Sequence, residues 1–516
     1  MMRSRSRWLV VLWTGAIAGA LIGTSARADD AHYQNFAAGA RGAMLGGAYA
    51  AIADDSSGLY FNPAGIVDVR RANLSISTSL YGFERQLALT DIWNLQRWAD
   101  EFSRRPVTGA EINIIPASGG VAWAFGRQLP DGSFPHAVAA GAVVPAYRGS
   151  VHESVLRQDT LDVGTVSQQS DRTMYFSTGY GYRVGPWLRL GVSLHAAVRL
   201  VDSNEEFSAL DTSTVAADPV FLSTSSRLSL TNASLLATFG VKLRPGRRWL
   251  VGAALTTPSL SVFQRGTFAV SSSRANFQSG DGSIAPTALE MHQYRVRWEG
   301  AELPLWSRLG VAYVVPVDYT LTFDVSLYAP THYRLVADRC RIDYVSEVTP
   351  LCALLQWSVP TAGRLSEDVR RRSPIPVDVQ RNFTVNVNAG AEKLMRDDLS
   401  IGIGAFTDFS SAPDYQVDGA GNLTPQSTLV SNVDHYGATF SVGYFGEHSL
   451  SRIGLMGALG LGQRARAVSP GSRFIETADL VMKSQPAQEF LIYVFWSSTF
   501  RYGEGRSRRS DAENAP

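Results

Sequence analysis

The sequence predicts an all-β protein: a transmembrane antiparallel β-barrel of about 14 strands with an N-terminal hatch inside its lumen. Three observations predict this fold. An export signal is followed by no further apolar run long enough for a helix to span a membrane. From residue 72 onward, long segments alternate with a period of two residues. Short connections also alternate with long polar ones, which include 147–171, 203–225 and 258–304.

The composition of the 516-residue chain fits this class. Charged residues make up 18%, which is low for a soluble domain, while the chain has 46 glycines, 19 tyrosines and 11 tryptophans. This balance is typical of a β-rich protein that faces lipid. The formal net charge of +1 gives no basic excess, so we expect no nucleic-acid partner.

Residues 1–28 have the pattern of a secretory signal peptide. Arg3, Arg5 and Arg7 precede an apolar run from Trp8 to Gly23, and small residues predict cleavage after Ala28. The alternative is a membrane anchor, but a run of about 16 residues is short for a spanning helix. The remaining predicted divisions are a hatch over 29–71, the barrel over 72–502 and a charged, disordered tail over 503–516.

The clearest strand is the stretch from Leu188 to Leu200. Its odd-numbered positions from Arg189 to Arg199 lie on one face, and leucine, valine and alanine occupy the other. Such alternation over so many residues predicts a strand long enough to cross a membrane at a tilt. Because the lumen of a barrel is polar, we expect Arg189, His195 and Arg199 to point inward.

Six short connections set the expected strand count. They lie at 127–135, 184–186, 245–248, 316–317, 396–398 and 446–450, and they join twelve strands. Segments at 72–84 and 488–502 add two more, giving fourteen, an even number as in bacterial barrels. Further strand-like pieces within 258–304 leave sixteen open, and we interpret them as loop extensions. A sandwich or propeller would not give this rhythm of short and long connections, and the chain lacks the fixed internal repeat that a propeller would show.

The chain has two cysteines, Cys340 and Cys352. In an oxidising compartment we expect them to form a disulfide, although two unpaired thiols are the alternative. Their spacing and the lack of companion ligands give no metal site, and we expect no cofactor.

The hatch region has a composition unlike either a strand or a helix. Gly39, Gly42, Gly46 and Gly47 permit close approach of the backbone, and Asn62-Pro63 favours a turn. The stretch "GARGAMLGGAYAAIADDSSGLYFNPAGI", placed between a signal peptide and a barrel, resembles the hatch of the FadL/TodX family of outer-membrane channels. "VGAALTTPSL" (Val251 to Leu260) and "ELPLWSRLGVAY" (Glu302 to Tyr313) resemble two later strands of that family.

The resemblance implies a fourteen-stranded barrel that conducts long-chain fatty acids or other hydrophobic compounds. Ligand would be captured at an outer groove and would leave sideways into the membrane through a gap in the wall. The Asn-Pro-Ala motif of the family corresponds to Asn62, Pro63 and Ala64, and it implies that these residues, with Gly46 and Gly47, shape and move the hatch.

Candidate ligand contacts fall into two groups. Arg189, His195 and Arg199 could meet a fatty-acid carboxylate, although a polar lumen lining accounts for them equally well. The second group consists of aromatic residues in two long connections, which could instead pack those connections together: Phe207, Phe221, Phe263 and Phe268.

The function we expect is passive uptake of hydrophobic compounds, most of all long-chain fatty acids, across the outer membrane of a Gram-negative cell. A secretion-accessory or structural barrel without transport is the alternative. Catalysis is not expected, because Ser193 and His195 share a face without an acidic partner. Expected partners are fatty acids or aromatic hydrocarbons, membrane lipid with lipopolysaccharide, and the barrel-assembly machinery, and the chain is expected to be a monomer.

Overall fold

A computed structural model describes residues 31–33, 39–69, 71–88, 115–158, 161–211, 220–275, 288–316, 318–341, 378–396, 398–419, 431–446, 448–468 and 481–502. The predicted signal peptide, the tail and Cys352 lie outside these residues. The described residues form eighteen strands in one antiparallel sheet. Within the described residues, no helix is long and apolar enough to cross a membrane.

Fourteen of the strands close into a ring, which confirms the predicted count. In order around the ring they are β1 (Ala72–Ala88), β2 (Ile115–Phe125), β3 (His136–Gln158), β4 (Leu161–Arg183), β5 (Leu188–Asp211), β6 (Val220–Leu243), β7 (Trp249–Thr256), β10 (Trp306–Val315), β11 (Tyr319–Tyr328), β14 (Thr384–Arg396), β15 (Leu399–Asp408), β16 (Asn432–Phe445), β17 (Ser449–Val468) and β18 (Val481–Tyr502). Pairing of β18 with β1 closes the barrel, from Ala72 opposite Tyr502 to Ala88 opposite Ala487.

The other four strands branch off the ring: β8 (Leu260–Ala275), β9 (Ala288–Gly300), β12 (Thr331–Arg341) and β13 (Asp378–Arg381). The half of β6 next to Leu243 pairs with β7, and the other half pairs with β8. β9, β12 and β13 follow in turn. The strand-like pieces within 258–304 are therefore extensions outside the ring, as interpreted from the sequence.

The six short connections all lie at one end of the ring, here called the turn end; the opposite end is the loop end. β10, β11 and β15 have 10 residues each, enough to cross a bilayer at a tilt. β3, β4, β5 and β6 have 23 or 24 residues and extend beyond the loop end.

These long strands correct one expectation from the sequence. Much of 147–171, 203–225 and 258–304 was predicted as loop because the composition is polar, yet the structure continues strands through it. The branched sheet has its own apolar core on one face, which includes Leu228, Phe268, Trp298 and Tyr333. The other face carries polar residues, and for this reason the stretches look like loops in composition.

The outward face of the ring is apolar. Exposed leucine, valine, isoleucine and phenylalanine side chains alternate with buried ones along its strands, for example Leu194 beside buried His195. Near the turn end the exposed residues are aromatic: Trp123, Trp187, Trp249, Tyr444 and Tyr502. An apolar band edged by aromatic rings is the surface of a membrane-spanning barrel.

The hatch segment Gly39–Val69 contains two short helices, α1 (Ala40–Met44) and α2 (Gly58–Phe61), and a 3-10 helix over Pro63–Asp68. Nearly all of its side chains are buried. It contacts inward-facing residues of β4, β5, β6, β7, β10, β14 and β15, which lie on opposite sides of the ring. These contacts place the segment within the barrel, in agreement with the hatch expected from the sequence.

Candidate functional site

The hatch packs backbone to backbone against glycines of the wall. A Cβ atom at Gly404 would lie 2.3 Å from the Gly46 nitrogen, and one at Gly191 would lie 2.3 Å from the Ala64 nitrogen. Gly46 and Gly47 have φ angles of +62° and +89°, which favour glycine. The wall glycines therefore make room for the hatch, and the hatch glycines permit the turn that follows α1.

Asn62 ties the hatch to the wall at the Asn-Pro-Ala motif. Its Nδ2 donates to the Ala50 carbonyl at 2.9 Å and to the Val241 carbonyl at 3.0 Å. Its Oδ1 accepts from the Ala64 amide, so the residue caps the 3-10 helix that begins at Pro63. A gating role for Asn62, Pro63 and Ala64 stays a prediction, and the contacts give Asn62 a structural one.

Hydrogen bonds from wall side chains to the backbone hold the middle of the hatch. Asp324 of β11 accepts from the amides of Tyr49 and Ala50, both at 2.8 Å. Asn388 of β14 donates to the Gly46 carbonyl at 2.6 Å. On the hatch side, these bonds are made by backbone atoms. They therefore fix the position of the hatch without involving its side chains.

One ionic cluster holds the hatch at the turn end. The Asp68 carboxylate lies 2.6 Å from Arg189 Nε, 2.7 Å from Lys242 Nζ and 3.0 Å from Arg183 Nη2. Burial alone would raise the pKa of Asp68, but Lys242, Arg189 and Arg183 together lower it to about 2. Asp68 is therefore charged at any physiological pH and attaches the end of the hatch to β4, β5 and β6.

A second ionic cluster lies across the barrel, also near the turn end. Arg41 of α1 lies 2.9 Å from Glu392 of β14 and 3.4 Å from Asp54 of the hatch. Arg452 of β17 also contacts Glu392, at 3.1 Å. The hatch is thus bound by charge on two sides of its turn-end face.

The opposite face of the hatch is aromatic. Tyr60 of α2 meets three rings: its neighbour Phe61, Tyr175 of β4, and Trp306 at the loop end of β10. Tyr328 of β11 and Tyr33 of the N-terminal segment extend the group, with ring centroids 4.3 Å apart. We call these six residues the aromatic cluster: Tyr33, Tyr60, Phe61, Tyr175, Trp306 and Tyr328.

Arg308 lies within the aromatic cluster and is only 1% exposed. Its guanidinium carbon lies 4.7 Å from the Phe61 ring centroid and 5.1 Å from that of Trp306. Its Nε donates to Ser326 Oγ at 3.2 Å, while Nη1 has no hydrogen-bond partner among the described residues. A buried cation against aromatic faces is stabilised by about 2 kcal/mol. The aromatic cluster therefore combines apolar surface with one buried positive charge.

Beside the aromatic cluster, two wall strands separate. β2 and β3 pair from Phe125 opposite His136 to Ser118 opposite Val143. Beyond Val143, the described part of β3 pairs only with β4, and the register shifts between Val143 and Ala146, at Pro145. Proline cannot donate to a ladder. Val143 packs in the same apolar core as Tyr175, so the separation adjoins the cluster.

The three polar residues predicted as ligand contacts face inward, as expected, but all three are already engaged. His195, 2% exposed, is hydrogen-bonded to Ser177, Ser193 and Thr238. The Arg199 guanidinium lies 2.7 Å from the Asp171 carboxylate and 3.7 Å from that of Glu302. Arg189 is paired with Asp68, so a carboxylate ligand would have to compete with a carboxylate of the protein at Arg189 and at Arg199.

The predicted aromatic contacts lie in strands rather than loops. Phe268 is buried in the core of the branched sheet, while Phe263, 56% exposed, lies at the start of β8. Phe221 is partly exposed near the start of β6. Phe207 lies in β5 opposite Thr224, and its side chain falls outside the described residues. A ligand role for these residues stays a prediction, as does the bond between Cys340, in β12, and Cys352.

Sequence reasoning missed Arg308, although a signal was present. Trp306, Arg308 and Gly310 alternate along a strand and so share its inward face. The contacts of Arg308 with Tyr60 and Phe61 depend on the position of the hatch in the lumen. The sequence pattern of the strand that carries Arg308 does not specify this position.

Comparison with protein-family models gives no match, and no curated protein matches the sequence. Solved structures do match. A FadL homologue from Pseudomonas aeruginosa aligns with a TM-score of 0.52 at 12% identity, over 94% of this chain and all of that one. The toluene transporter TodX from P. putida aligns with a TM-score of 0.52 at 13% identity, over 92% and 100%. The monoaromatic hydrocarbon channel CymD gives 0.50 at 11%, over 92% and 100%.

The closed ring, its apolar outer face and the segment packed in its lumen define a membrane-spanning β-barrel with an internal hatch. The fold is that of the FadL/TodX family, since the alignments span nearly the whole of each chain. At identities this low, the likeness establishes the fold alone.

Proposed function

We propose that this protein is an outer-membrane channel for the passive uptake of hydrophobic compounds, with long-chain fatty acids as the favoured cargo. The observation that carries the proposal is Arg308 within the aromatic cluster, on the loop-end side of the hatch. The six rings provide apolar surface, and three of them lie beside the Arg308 guanidinium. Among the described residues, this guanidinium forms no salt bridge with a carboxylate. The fold, common to a FadL homologue and to hydrocarbon channels, supports the same class of cargo.

In this proposal the turn end faces the periplasm and the loop end faces outward. Cargo enters from the loop end, because hydrophobic molecules gain about 25 cal/mol for each Å² of apolar surface removed from water. It reaches the aromatic cluster and then moves sideways. Below the cluster lie the charged groups of Arg41, Glu392 and Asp68, which an apolar chain does not cross readily.

The separation of β2 and β3 at Val143 and Pro145 is the proposed exit into the membrane. The separation adjoins Tyr175 of the aromatic cluster. Cargo that leaves there would not have to break hydrogen bonds between paired strands of the described residues. Binding of cargo would shift the hatch toward a state that opens this route. No energy source is required, since the movement is downhill. The protein would act as a monomer in contact with membrane lipid and lipopolysaccharide after insertion by the assembly machinery.

Uptake of radiolabelled oleate and toluene by a host that lacks its own channel tests the proposal. We expect oleate uptake with the parent protein, a fall of about 10-fold or more for Arg308→Met, and partial retention for Arg308→Lys. Toluene uptake should change little in either variant. Absence of oleate uptake by a correctly assembled parent would contradict the proposal, and a protein partner that co-purifies in stoichiometric amount would then favour the secretion-accessory role.

A further inference from the structure

The outward face of the branched sheet continues the lipid-facing surface of the ring. Along β6, every second side chain over 228–238 is buried, whereas Leu235 points outward and is 49% exposed. Leu260 of β8 pairs with Leu235 and is 68% exposed. Phe263, on the same face of β8, is 56% exposed. Since the apolar outer surface of a barrel lies against lipid chains, the base of the branched sheet stands beside the hydrocarbon of the membrane.

Arginines begin where this apolar surface ends. Arg265 lies two residues beyond Phe263 on the outward face of β8, which is about 7 Å further along the strand. The headgroup layer of a bilayer extends about 5–8 Å beyond the hydrocarbon on each side. The side chain of Arg265 is exposed, so its charge lies at the level of the lipid headgroups.

Two more arginines stand next to Arg265. Gly266 of β8 pairs with Val296 of β9. The next residues along the two antiparallel strands are Arg265 and Arg297, so these two are also neighbours. Arg295 lies two residues further along β9, on the same face as Arg297. We call these three exposed residues the arginine face: Arg265, Arg295 and Arg297.

The protein supplies little negative charge at the arginine face. Within 260–269 and 293–300 the only acidic residue is Glu299, and it lies 2.6 Å from Arg334 of β12. Among the described residues, Arg265 and Arg295 form no salt bridge. Like charges at neighbouring positions of a sheet repel each other. The cluster therefore does not serve the stability of the sheet, and it is suited to an anionic ligand.

The side chains of the arginine face favour phosphate as that anion. A guanidinium group donates two parallel hydrogen bonds to phosphate oxygens, and arginine is the side chain most suited to this geometry. Hydroxyl groups lie between the arginines, since Thr231 pairs with Arg265 and Thr267 pairs with Arg295. A ligand at this height would carry phosphate groups at the arginine face and acyl chains along the apolar surface next to it.

We propose that the arginine face binds the lipid A phosphates of lipopolysaccharide, whose acyl chains lie along Leu260 and Phe263. The inference rests on the outer-membrane location in the proposed function, and it is independent of the cargo. Charge and apolar surface complement the lipid in the order in which its parts lie along the membrane normal. Because the branched sheet pairs with the ring through β6, a lipid bound to its outward face fixes it against the outer leaflet.

Binding of a fluorescent lipopolysaccharide to the purified full-length protein in detergent tests the proposal. EDTA is present, so that divalent cations cannot bridge carboxylates to phosphates. We expect Arg265→Gln/Arg295→Gln/Arg297→Gln to weaken binding by at least about 10-fold, because hydrogen bonds between charged groups are lost. The corresponding triple lysine variant keeps the charge and should retain part of the affinity. Unchanged binding in the triple glutamine variant would overturn the proposal.

The matched control removes three exposed arginines at the turn end. Arg127→Gln/Arg247→Gln/Arg248→Gln changes the net charge by the same amount and should bind the lipid within about 2-fold of the parent. Equal loss in the two triple variants would mean unspecific attraction by net charge and would overturn the site. All six side chains are exposed, and heat-modified electrophoretic mobility verifies that each barrel is assembled.

Competition identifies the group that is bound. Unlabelled lipid A should displace the fluorescent lipid, while dephosphorylated lipid A and oleate should each require at least about 10-fold higher concentrations. Equal displacement by dephosphorylated lipid A would mean binding through acyl chains alone, and equal displacement by oleate would mean a surface for cargo. Either result would overturn the proposal.

The lipid site and the proposed function fail separately. A parent protein that binds lipopolysaccharide through its phosphates but takes up no oleate would contradict transport and support the lipid site. Oleate uptake by a parent whose lipid binding does not depend on phosphate would overturn only the lipid site.

Discussion

Replacement of Asp68 by asparagine is expected to release the turn-end attachment of the hatch. The carboxylate lies within 3.0 Å of three cationic side chains, and asparagine keeps its size but removes its charge. The fall in the pKa of Asp68 from 3.8 to about 2 corresponds to about 2 kcal/mol. The ratio of docked to undocked hatch should therefore fall by about 30-fold.

Thiol labelling measures this ratio. Ala53→Cys places a buried thiol in the hatch beside Lys242, which donates to the Ala53 carbonyl. If labelling proceeds through brief undocking, its rate in reconstituted membranes should rise by about 30-fold when Asp68→Asn is added. The protein without Ala53→Cys corrects for any labelling of Cys340 and Cys352.

Asp131→Asn is the matched control. Asp131 also contacts Arg183, but its side chain is 39% exposed and belongs to the β2–β3 turn, so little change is expected. The pH dependence supplies a second check. A lowered pKa in the docked state means that the stabilisation is complete above 3.8 and is lost as pH falls through about 2. A labelling rate in Asp68→Asn within about 3-fold of the parent, or a strong rise between pH 7 and 5, would refute the reasoning.

Three further predictions concern the packing of the hatch and the cluster. Gly404→Val should force the Gly46 turn away from β15, since a Cβ at 404 already lies 2.3 Å from the Gly46 nitrogen. Planar-bilayer recordings should then show a larger ion leak than for the control Gly419→Val, where the added Cβ meets nothing within 4 Å. Asn62→Ala removes the bonds to Ala50 and Val241 and should lower hatch stability by about 1–3 kcal/mol, measured by amide exchange. Trp306→Ala should weaken binding of a fluorescent fatty acid by at least about 10-fold, because it removes a ring that contacts both Tyr60 and Arg308.

The ring of strands could be predicted from the sequence because its two faces meet different solvents. Along β5, lipid on one side and a polar lumen on the other impose a period of two, and this pattern placed Arg189 and His195 inward. This contrast between the two faces is lost where the strands extend beyond the membrane. There the outer face of a strand meets water, so β8 and β9 have a composition close to that of a loop, although Tyr294, Val296 and Trp298 still alternate.

The site was less accessible to sequence reasoning because it depends on contacts between distant parts of the chain. The charge of Arg189 suggested a ligand, but its partner is Asp68, 121 positions away. Nothing in the local pattern specifies which lumen cations the hatch neutralises. The glycines of the hatch were informative, because close approach of two backbones requires glycine at Gly46 and at Gly404 whatever the rest of the sequence is.

The arrangement of polarity across the hatch has a consequence for the direction of transport. The loop-end face presents Tyr60 and Phe61, and the turn-end side holds Asp68 and Arg41 in ion pairs. An apolar cargo that continued toward the turn end would have to enter a layer of charges and separate pairs that lie out of water. Movement of the same cargo from Tyr175 toward Pro145 begins at Val143, which packs in the same apolar core as Tyr175. Under the proposed function, the two faces of the hatch therefore make lateral exit the lower-energy route.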